Sequence, residues 1–480
     1  MSRIIVYSKN QPPIIDYFTL RGVHGYKDIS INFTGPATVI VAENGTGKTT
    51  LLSALNAFLS RRFHRLASIS FSRLECRFKS GQTISLERDS IITGASEISD
   101  LLRFTARDAQ ASEDELLDFI LNVYSPESFN RYRHLRIVHQ LYLKTPGDAD
   151  GTKRRLDELH FMYRKSLSNE SNAALKIIKA HLNNVDIVFL PTYRRIERPM
   201  LRTSNRESSS RTGASPWDGG RDKRDYAYEG MAFGLGDIEA RLTELSEEIE
   251  RTSNFGYRRW STRILADSLK GKSARPTNGP TNLPHVQDLS RFLGRIGQVE
   301  NNLGEIFENI ENLYESNVIY TDEFEFLRYF LTGLSNVINQ TKVLEQRIEH
   351  FVAVCNSYLT MSSDEKRLVF DPQNLKVYVS NPWAGGEVPL DELSSGEKQI
   401  ISLMAKSYLY DREKFVLIDE PELSLSIDWQ RKVLPDLLNS GSITQLLAIT
   451  HSPFIFENEL DKFTNGLRIS PTIGARHGYY

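Results

Sequence analysis

The segment Ala42-Glu43-Asn44-Gly45-Thr46-Gly47-Lys48-Thr49 constrains this chain more than any other. It follows the apolar run Ala37–Val41 and precedes TTLLSALNAFL, in which Leu51, Leu52, Leu55 and Leu59 recur at helical spacing. A glycine-rich turn between a buried strand and a helix is suited to binding phosphate. Gly45 and Gly47 let backbone N–H groups curl around an anion, and the helix N-terminus adds partial positive charge. In that setting Lys48 reaches the β- and γ-phosphates and the Thr49 hydroxyl binds Mg2+, while Asn44, Gly45, Thr46, Gly47 and Thr50 complete the nucleotide contacts. The strict pattern begins with Gly, where this chain has Ala42. The ordinary alternative is a glycine-rich strand-to-helix turn that binds nothing.

Three further segments carry chemistry. Phe415-Val416-Leu417-Ile418 is a buried-strand run that delivers Asp419 and Glu420 at its end. Beside a phosphate loop, Asp419 is expected to hold Mg2+ through its water shell, and Glu420 to orient or deprotonate the attacking water. Elsewhere such a pair is usually a solvated turn. Leu393-Ser394-Ser395-Gly396-Glu397 opens an amphipathic helix (KQIISLMAKSYLY). A Ser/Gly loop at a helix N-terminus binds anions, though either serine would also serve as a plain N-cap. His451 follows the strand run LLAI, at a second strand end, where a γ-phosphate sensor is expected. A lone histidine is more often a surface or packed residue.

Strand signals occupy IIDYFTL, ISINF and ATVIV, and RLECRFKSGQTISLER alternates around Ser80-Gly81 as a hairpin does. Residues 95–185 read as mainly helical, with a polar break over 145–151, before the strand run VDIVFL. Residues 199–230 are rich in Ser, Arg, Gly and Asp and read as a mobile loop. Ile238, Leu242, Leu245 and Ile249 then form one helical stripe. Leu327, Leu331, Leu334 and Ile338, continuing through Leu344, Ile348, Phe351 and Cys355, form a longer one. The second helix, about 35 residues, would span about 50 Å, the length of a lid or short antiparallel arm. From 366 strands return (KRLVF, LKVYVS, FVLI, LLAI) with helices between, which implies a mostly parallel sheet. The expected fold is α/β, a P-loop head assembled from both chain ends. Residues 1–197 would give its N-terminal half with a helical insert, 198–365 the loop and helical arm, and 366–480 its C-terminal half.

Composition excludes several classes. The 480 residues carry a net charge of −2, so nucleic acid would need a local basic patch. Arg194, Arg195, Arg198, Arg202, Arg206, Arg211, Arg221, Lys223 and Arg224 against Glu197, Glu207, Asp218 and Asp222 make one, unless this is only a solvated loop. No run reaches the roughly 18 to 20 apolar residues of a membrane helix, and the start lacks a signal peptide's apolar core. Cys76 and Cys355 are the two cysteines, far apart, so the reducing cytoplasm is expected and a disulfide framework is not.

The order of phosphate loop, Ser/Gly signature, acidic strand end and histidine resembles that of ABC-type ATPases. The run LRGVHGYKDISINF and the helical middle look like the SMC, RecF and OLD-type branch. LSSGEKQ, DEPELSLSIDWQ, ITHSPF and FLPTYRRIE resemble PtuA, the ATPase of Septu-type anti-phage systems that also occurs beside some retrons. Two residues depart from the pattern: Ser395 stands where the ABC signature usually has Gly, and Ser426 where relatives often have His. For the Q-loop, Gln140 is one candidate, and Arg194 or Arg195 facing the nucleotide is another.

The resemblance implies an ATP- and Mg2+-dependent ATPase working as a homodimer or higher oligomer. In it the signature Ser394, Ser395, Gly396 and Glu397 of one chain would act in trans, Ser394 and Gly396 contacting the γ-phosphate held by Lys48 of the other. It further implies an anti-phage role in which a separate HNH nuclease, PtuB-like, does the cutting, joined in a retron by a reverse transcriptase and its DNA. No nuclease motif is expected in this chain itself. The other reading is a RecF-like repair ATPase acting on DNA ends or gaps, and a third is an ATP-binding scaffold with negligible turnover.

Overall fold

A computed structural model describes residues 12–43, 45–92, 95–133, 135–144, 149–191, 235–269, 282–296, 303–361, 365–383 and 385–472. In chain order the strands are Ile15–Val23 (β1), Lys27–Asn32 (β2), Ala37–Val41 (β3), Arg73–Phe78 (β4), Thr83–Glu87 (β5), Val185–Leu190 (β6), Arg367–Asp371 (β7), Lys376–Asn381 (β8), Gly386–Val388 (β9), Glu413–Asp419 (β10), Ile443–Thr450 (β11), Thr464–Gly466 (β12) and Arg468–Pro471 (β13). The first α-helices are Lys48–Leu59 (α1), Phe63–Ser68 (α2), Arg88–Ile91 (α3), Ala95–Asp108 (α4), Glu113–Asp118 (α5), Arg136–Lys144 (α6), Ala149–Ser166 (α7) and Asn169–His181 (α8). They are followed by Leu235–Leu269 (α9), Val286–Ile296 (α10), Leu303–Glu315 (α11), Glu325–Leu359 (α12), Ser395–Tyr408 (α13) and Ile427–Leu438 (α14). By contact these residues divide into two units, one within Met1–Phe233 and Arg412–Tyr480, the other within Gly234–Asp411.

The first unit holds two sheets. One is antiparallel, ordered β13-β2-β1-β4-β5. The other is parallel throughout, ordered β12-β3-β11-β10-β6. The apolar runs ATVIV, FVLI and LLAI lie in its three central strands, where most of their side chains are buried and continuous apolar sequence is tolerated. Helix α1 packs between the sheets: its Leu51, Leu52 and Leu55 are fully buried, and Phe58 lies 5.9 Å from Phe18 of β1. Each such side chain contributes about 1.5–3 kcal/mol on burial, so the helix carrying the phosphate loop is anchored by its own apolar face. Gln445 of β11 ties the sheets further, its Oε1 accepting from the Ile14 N–H at 2.9 Å.

Helices α3 to α8 form the expected insert, with Leu116, Phe119 and Ile120 fully buried. Helix α7 begins at Ala149, so the polar break expected over 145–151 gives way to helix earlier than that. Asp150 sits in its first turn, where a carboxylate favours the helix dipole. The Arg62–Asp118 ion pair fastens the segment after α1 to α5, although burial dominates and pushes the Asp118 carboxyl up from its usual range.

In the second unit α9 and α12 are each 35 residues long and pack together. Ile238, Leu242, Leu245 and Ile249 are buried along α9, and the longer stripe lines α12. At the crossing, Gly333 of α12 leaves room for the Trp260 indole of α9. Arg295 and Glu345 form a buried ion pair, with Thr341 Oγ1 donating to Glu345 Oε1 at 3.0 Å. Strands β7 and β8 do not join the parallel sheet. They pair with each other and with β9 in a separate antiparallel sheet. The cause is local: Asp371 Oδ1 accepts from the Gln373 N–H at 2.9 Å and from the Asn374 N–H at 3.2 Å, closing a hairpin turn. The Asn374 side chain, bonded to the same carboxyl, holds it below the usual carboxylate range. Residues 366–411, placed from sequence in the C-terminal half of the head, therefore group by contact with the helical arm. Among the described residues no helix is long and apolar enough to cross a membrane.

Candidate functional site

Three adjacent parallel strands end on one edge. Val41 of β3 is in register with Thr450 of β11, and Ile449 of β11 with Asp419 of β10. Ligands of open parallel sheets bind outside these carboxyl ends, and here they launch the phosphate loop, His451 and the acidic pair.

The loop conformation follows from its glycines. Gly45 has φ 80° and Gly47 φ 100°, values that L side chains rarely adopt. A Cβ on Gly47 would also stand 2.6 Å from Ile29 Cδ1. Ala42, by contrast, needs no glycine: its φ is not positive, and its methyl group is buried in the core. Thr46 Oγ1 donates to the Glu43 carbonyl at 2.7 Å, and Lys27 Nζ to the Gly45 carbonyl at 3.1 Å. Asn44 lies outside the described residues.

Across the strand ends the predicted residues meet. Lys48, 5% exposed, places Nζ 3.4 Å from Glu420 Oε1 and against His451 Nε2. His451 Nε2 is 3.7 Å from the same Glu420 oxygen. Thr49 Oγ1 donates to Asp419 Oδ2 at 3.2 Å. Glu420 is held in the left-handed region, φ 51°, with its N–H on the Ile449 carbonyl at 2.8 Å. A non-glycine residue there carries backbone strain of order 1–3 kcal/mol, which the surrounding sheet must offset. In this conformation the carboxylate lies beside the lysine.

Two residues without an assigned role support this edge. Glu422 Oε1 accepts from the His451 N–H at 2.8 Å, and Gln430 Oε1 from Ser452 Oγ at 2.6 Å. The acid two places after Glu420 is a weak signal that could have pointed to Glu422; nothing in sequence pointed to Gln430.

The signature sits in the other unit. Ser394 is the N-cap of α13, accepting from the Glu397 N–H at 3.3 Å, while Glu397 Oε2 accepts from the Ser394 N–H at 2.7 Å. Lys366 Nζ adds an ion pair to Glu397 Oε2 at 3.2 Å. Glu397 is only 3% exposed, so its carboxylate is spent inside its own unit rather than offered outward. Ser394 and Ser395 are exposed. At N1 and N2, the N–H groups of Ser395 and Gly396 have no acceptor within the helix. Of the other residues singled out from sequence, Gln140 lies half-buried in α6, and Ser426 is the exposed N-cap of α14. Arg194, Arg195 and the rest of the basic segment 194–224 lie outside the described residues.

The donors fit Mg2+. Thr49 and Asp419 supply hard oxygen atoms beside the loop lysine. Among the described residues no group of three or more His, Cys, Asp or Glu could cage a metal by itself.

The loop comes first in the chain, and the acids and histidine return to the same sheet edge after the helical middle. That arrangement defines a class: the chain is an ATPase with an ABC-type head, of the ABC/SMC-like superfamily. Residues 18–256 match the family described as "AAA domain", and residues 268–457 the one described as "AAA domain, putative AbiEii toxin, Type IV TA system". The "Retron Ec83 probable ATPase" of Escherichia coli is 22% identical over 459 residues, which cover 90% of this chain and 68% of that protein. Among solved structures, an SMC head bound to the C-terminal winged-helix domain of ScpA is 11% identical with a TM-score of 0.34, over 96% of this chain and 97% of that one. An SMC head with an extended coiled coil, bound to the C-terminal domain of ScpA derived from Pyrococcus furiosus, is 15% identical with a TM-score of 0.31, over 95% and 96%.

Proposed function

We propose that this ATPase is the nucleotide-driven subunit of a cytoplasmic anti-phage defence complex, closing as a dimer around two ATP molecules and controlling a separate nuclease. The observation that carries the nucleotide part is the meeting of Lys48, Glu420 and His451 at one sheet edge. Lys48 and the loop N–H groups bind the β- and γ-phosphates. Glu420 accepts a proton from the attacking water or orients it, and His451 contacts the γ-phosphate from β11. Thr49 and Asp419 hold Mg2+, which neutralises charge on the phosphates when bound.

The dimer part follows from the signature. The N–H groups of Ser395 and Gly396, with the Ser394 hydroxyl, make an anion-binding helix start that contacts the γ-phosphate held by a second copy. Glu397 shapes that helix start through its capping box and does not itself touch nucleotide. Triphosphate then favours the closed dimer because it binds that state better, and hydrolysis removes the group both copies hold. The defence role is supported by the name of the retron relative and by the PtuA-like motifs. The PtuA resemblance implies an HNH nuclease as partner and, in a retron setting, a reverse transcriptase with its DNA.

The test is mass measurement by light scattering. The Glu420→Gln chain with ATP and Mg2+ should accumulate as a dimer. Adding Ser394→Arg to it should return the protein to the mass seen with ADP. A mass indifferent to ATP would remove the sandwich dimer, and failure of a neighbouring nuclease to co-purify would remove the defence partnership.

A further inference from the structure

Lys27 opens β2 in the antiparallel sheet, yet its side chain runs to the phosphate loop. It is 7% exposed, and Nζ donates to the Gly45 carbonyl at 3.1 Å. The same atom lies 3.5 Å from where a Cβ on Gly47 would stand, so the ammonium is packed along the Gly45–Gly47 backbone. The same Nζ lies 5.4 Å from the centroid of the Tyr26 ring. No carboxylate pairs with it among the described residues. The adjacent Asp28 is engaged elsewhere, its Oδ1 accepting from the Gly22 N–H at 2.8 Å and from Thr472 Oγ1 at 2.7 Å.

A buried ammonium costs free energy unless it is paired with opposite charge. One carbonyl and one aromatic face do not supply that charge. The nearest site built to hold an anion is the loop Lys27 already touches. We propose that Lys27 is a second phosphate-binding lysine, donating to an α- or β-phosphate oxygen of the bound nucleotide while bracing the loop through Gly45. This rests on the nucleotide reading of the loop. The γ-phosphate end is served by Lys48, Glu420 and His451 from the parallel sheet, whereas Lys27 enters from the other sheet. Its contribution is therefore common to ATP and ADP.

Substitution separates the brace from the charge. Lys27→Gln keeps a donor for the Gly45 carbonyl and removes the cation; Lys27→Arg keeps both. Calorimetric titration of the full chain with ATP and with ADP is the measurement, alongside Lys48→Ala and thermal melting without nucleotide. A charge-assisted contact corresponds to an affinity loss of about 10- to 100-fold. Lys27→Gln should weaken ATP and ADP by that factor alike, melt where the wild type melts, and be largely rescued by Lys27→Arg. Wild-type affinity in Lys27→Gln, or a loss confined to ATP, would overturn the assignment. So would a lowered melting temperature without rescue by arginine, which marks a brace alone. If the wild type itself bound no ATP, the nucleotide reading would fall instead, a result distinct from any of these.

Discussion

Lys48 and Glu420 stand 372 positions apart in the chain, and their side chains meet with Nζ and Oε1 at 3.4 Å. The lysine starts the first helix of the head, and the glutamate directly follows a strand made after the whole helical middle. Two residues from opposite ends of the sequence thus share one sheet edge, with His451 beside both.

That pairing separates two kinds of loss. Glu420→Gln should retain ATP affinity and lower steady-state phosphate release by about 10²- to 10⁴-fold, the range of a general-base contribution. Lys48→Ala should instead lower ATP affinity itself, by about 10- to 100-fold, through loss of a charge-assisted phosphate contact. Nucleotide titration and phosphate release, measured on both variants, check the split; a normal turnover rate in Glu420→Gln would remove its assigned role.

Metal dependence should track Asp419. Chelation with EDTA should stop phosphate release and excess Mg2+ should restore it. Asp419→Asn should raise the Mg2+ concentration for half-maximal rate by about 10- to 100-fold, the usual cost of losing a group that orients a metal's shell. An unchanged Mg2+ titration in that variant would contradict the placement opposite Thr49.

Gly333→Ala should destabilise the helical unit by about 1–3 kcal/mol, because the added methyl meets the Trp260 indole and the core must repack. Hydrogen exchange should show faster opening along α9 and α12, with α1 unchanged. Uniform loosening of both units would point to another cause.

Burial, aided by Arg164, holds the His160 imidazole of α7 below its ordinary value. The folded chain therefore takes up this proton less readily than the unfolded one. The stability is fully present above the unfolded value, near 6.5, and declines as pH falls below it towards the lowered folded value. His160→Gln should flatten that part of the stability curve in denaturant titrations between about pH 5 and 7. An equally steep decline in the variant would assign the acid sensitivity to other groups.

Much of the site was legible because its chemistry is local. Gly45, Gly47, Lys48 and Thr49 sit within five residues of backbone, and Asp419-Glu420 follows a short, continuous apolar run of the kind a buried strand shows. The stripe from Leu327 to Cys355 likewise read out α12. What stayed hidden depended on tertiary choice. β7 and β8 alternate like sheet strands anywhere; the local Asp371 turn pairs them with each other, but alternation does not say which sheet a strand joins. Glu397 looked like part of an outward-facing signature, but Lys366 and the capping box hold it inward. Lys27 carried no local pattern at all, since its partner Gly45 lies 18 residues on, in the loop that follows β3.

The parallel sheet has a temporal consequence. β10 and β11 fill its middle, between β6 and β3, yet they are the later-made strands. While a ribosome extends the chain from Leu190 to Glu413, the facing edges of β3 and β6 have no native neighbour. At ordinary elongation speeds that interval lasts roughly 10 to 45 s. Unpaired strand edges recruit other chains, so a nascent head is exposed to mispairing until its final segment slides into the gap. Premature stops before β10 should accordingly yield insoluble fragments rather than idle half-heads.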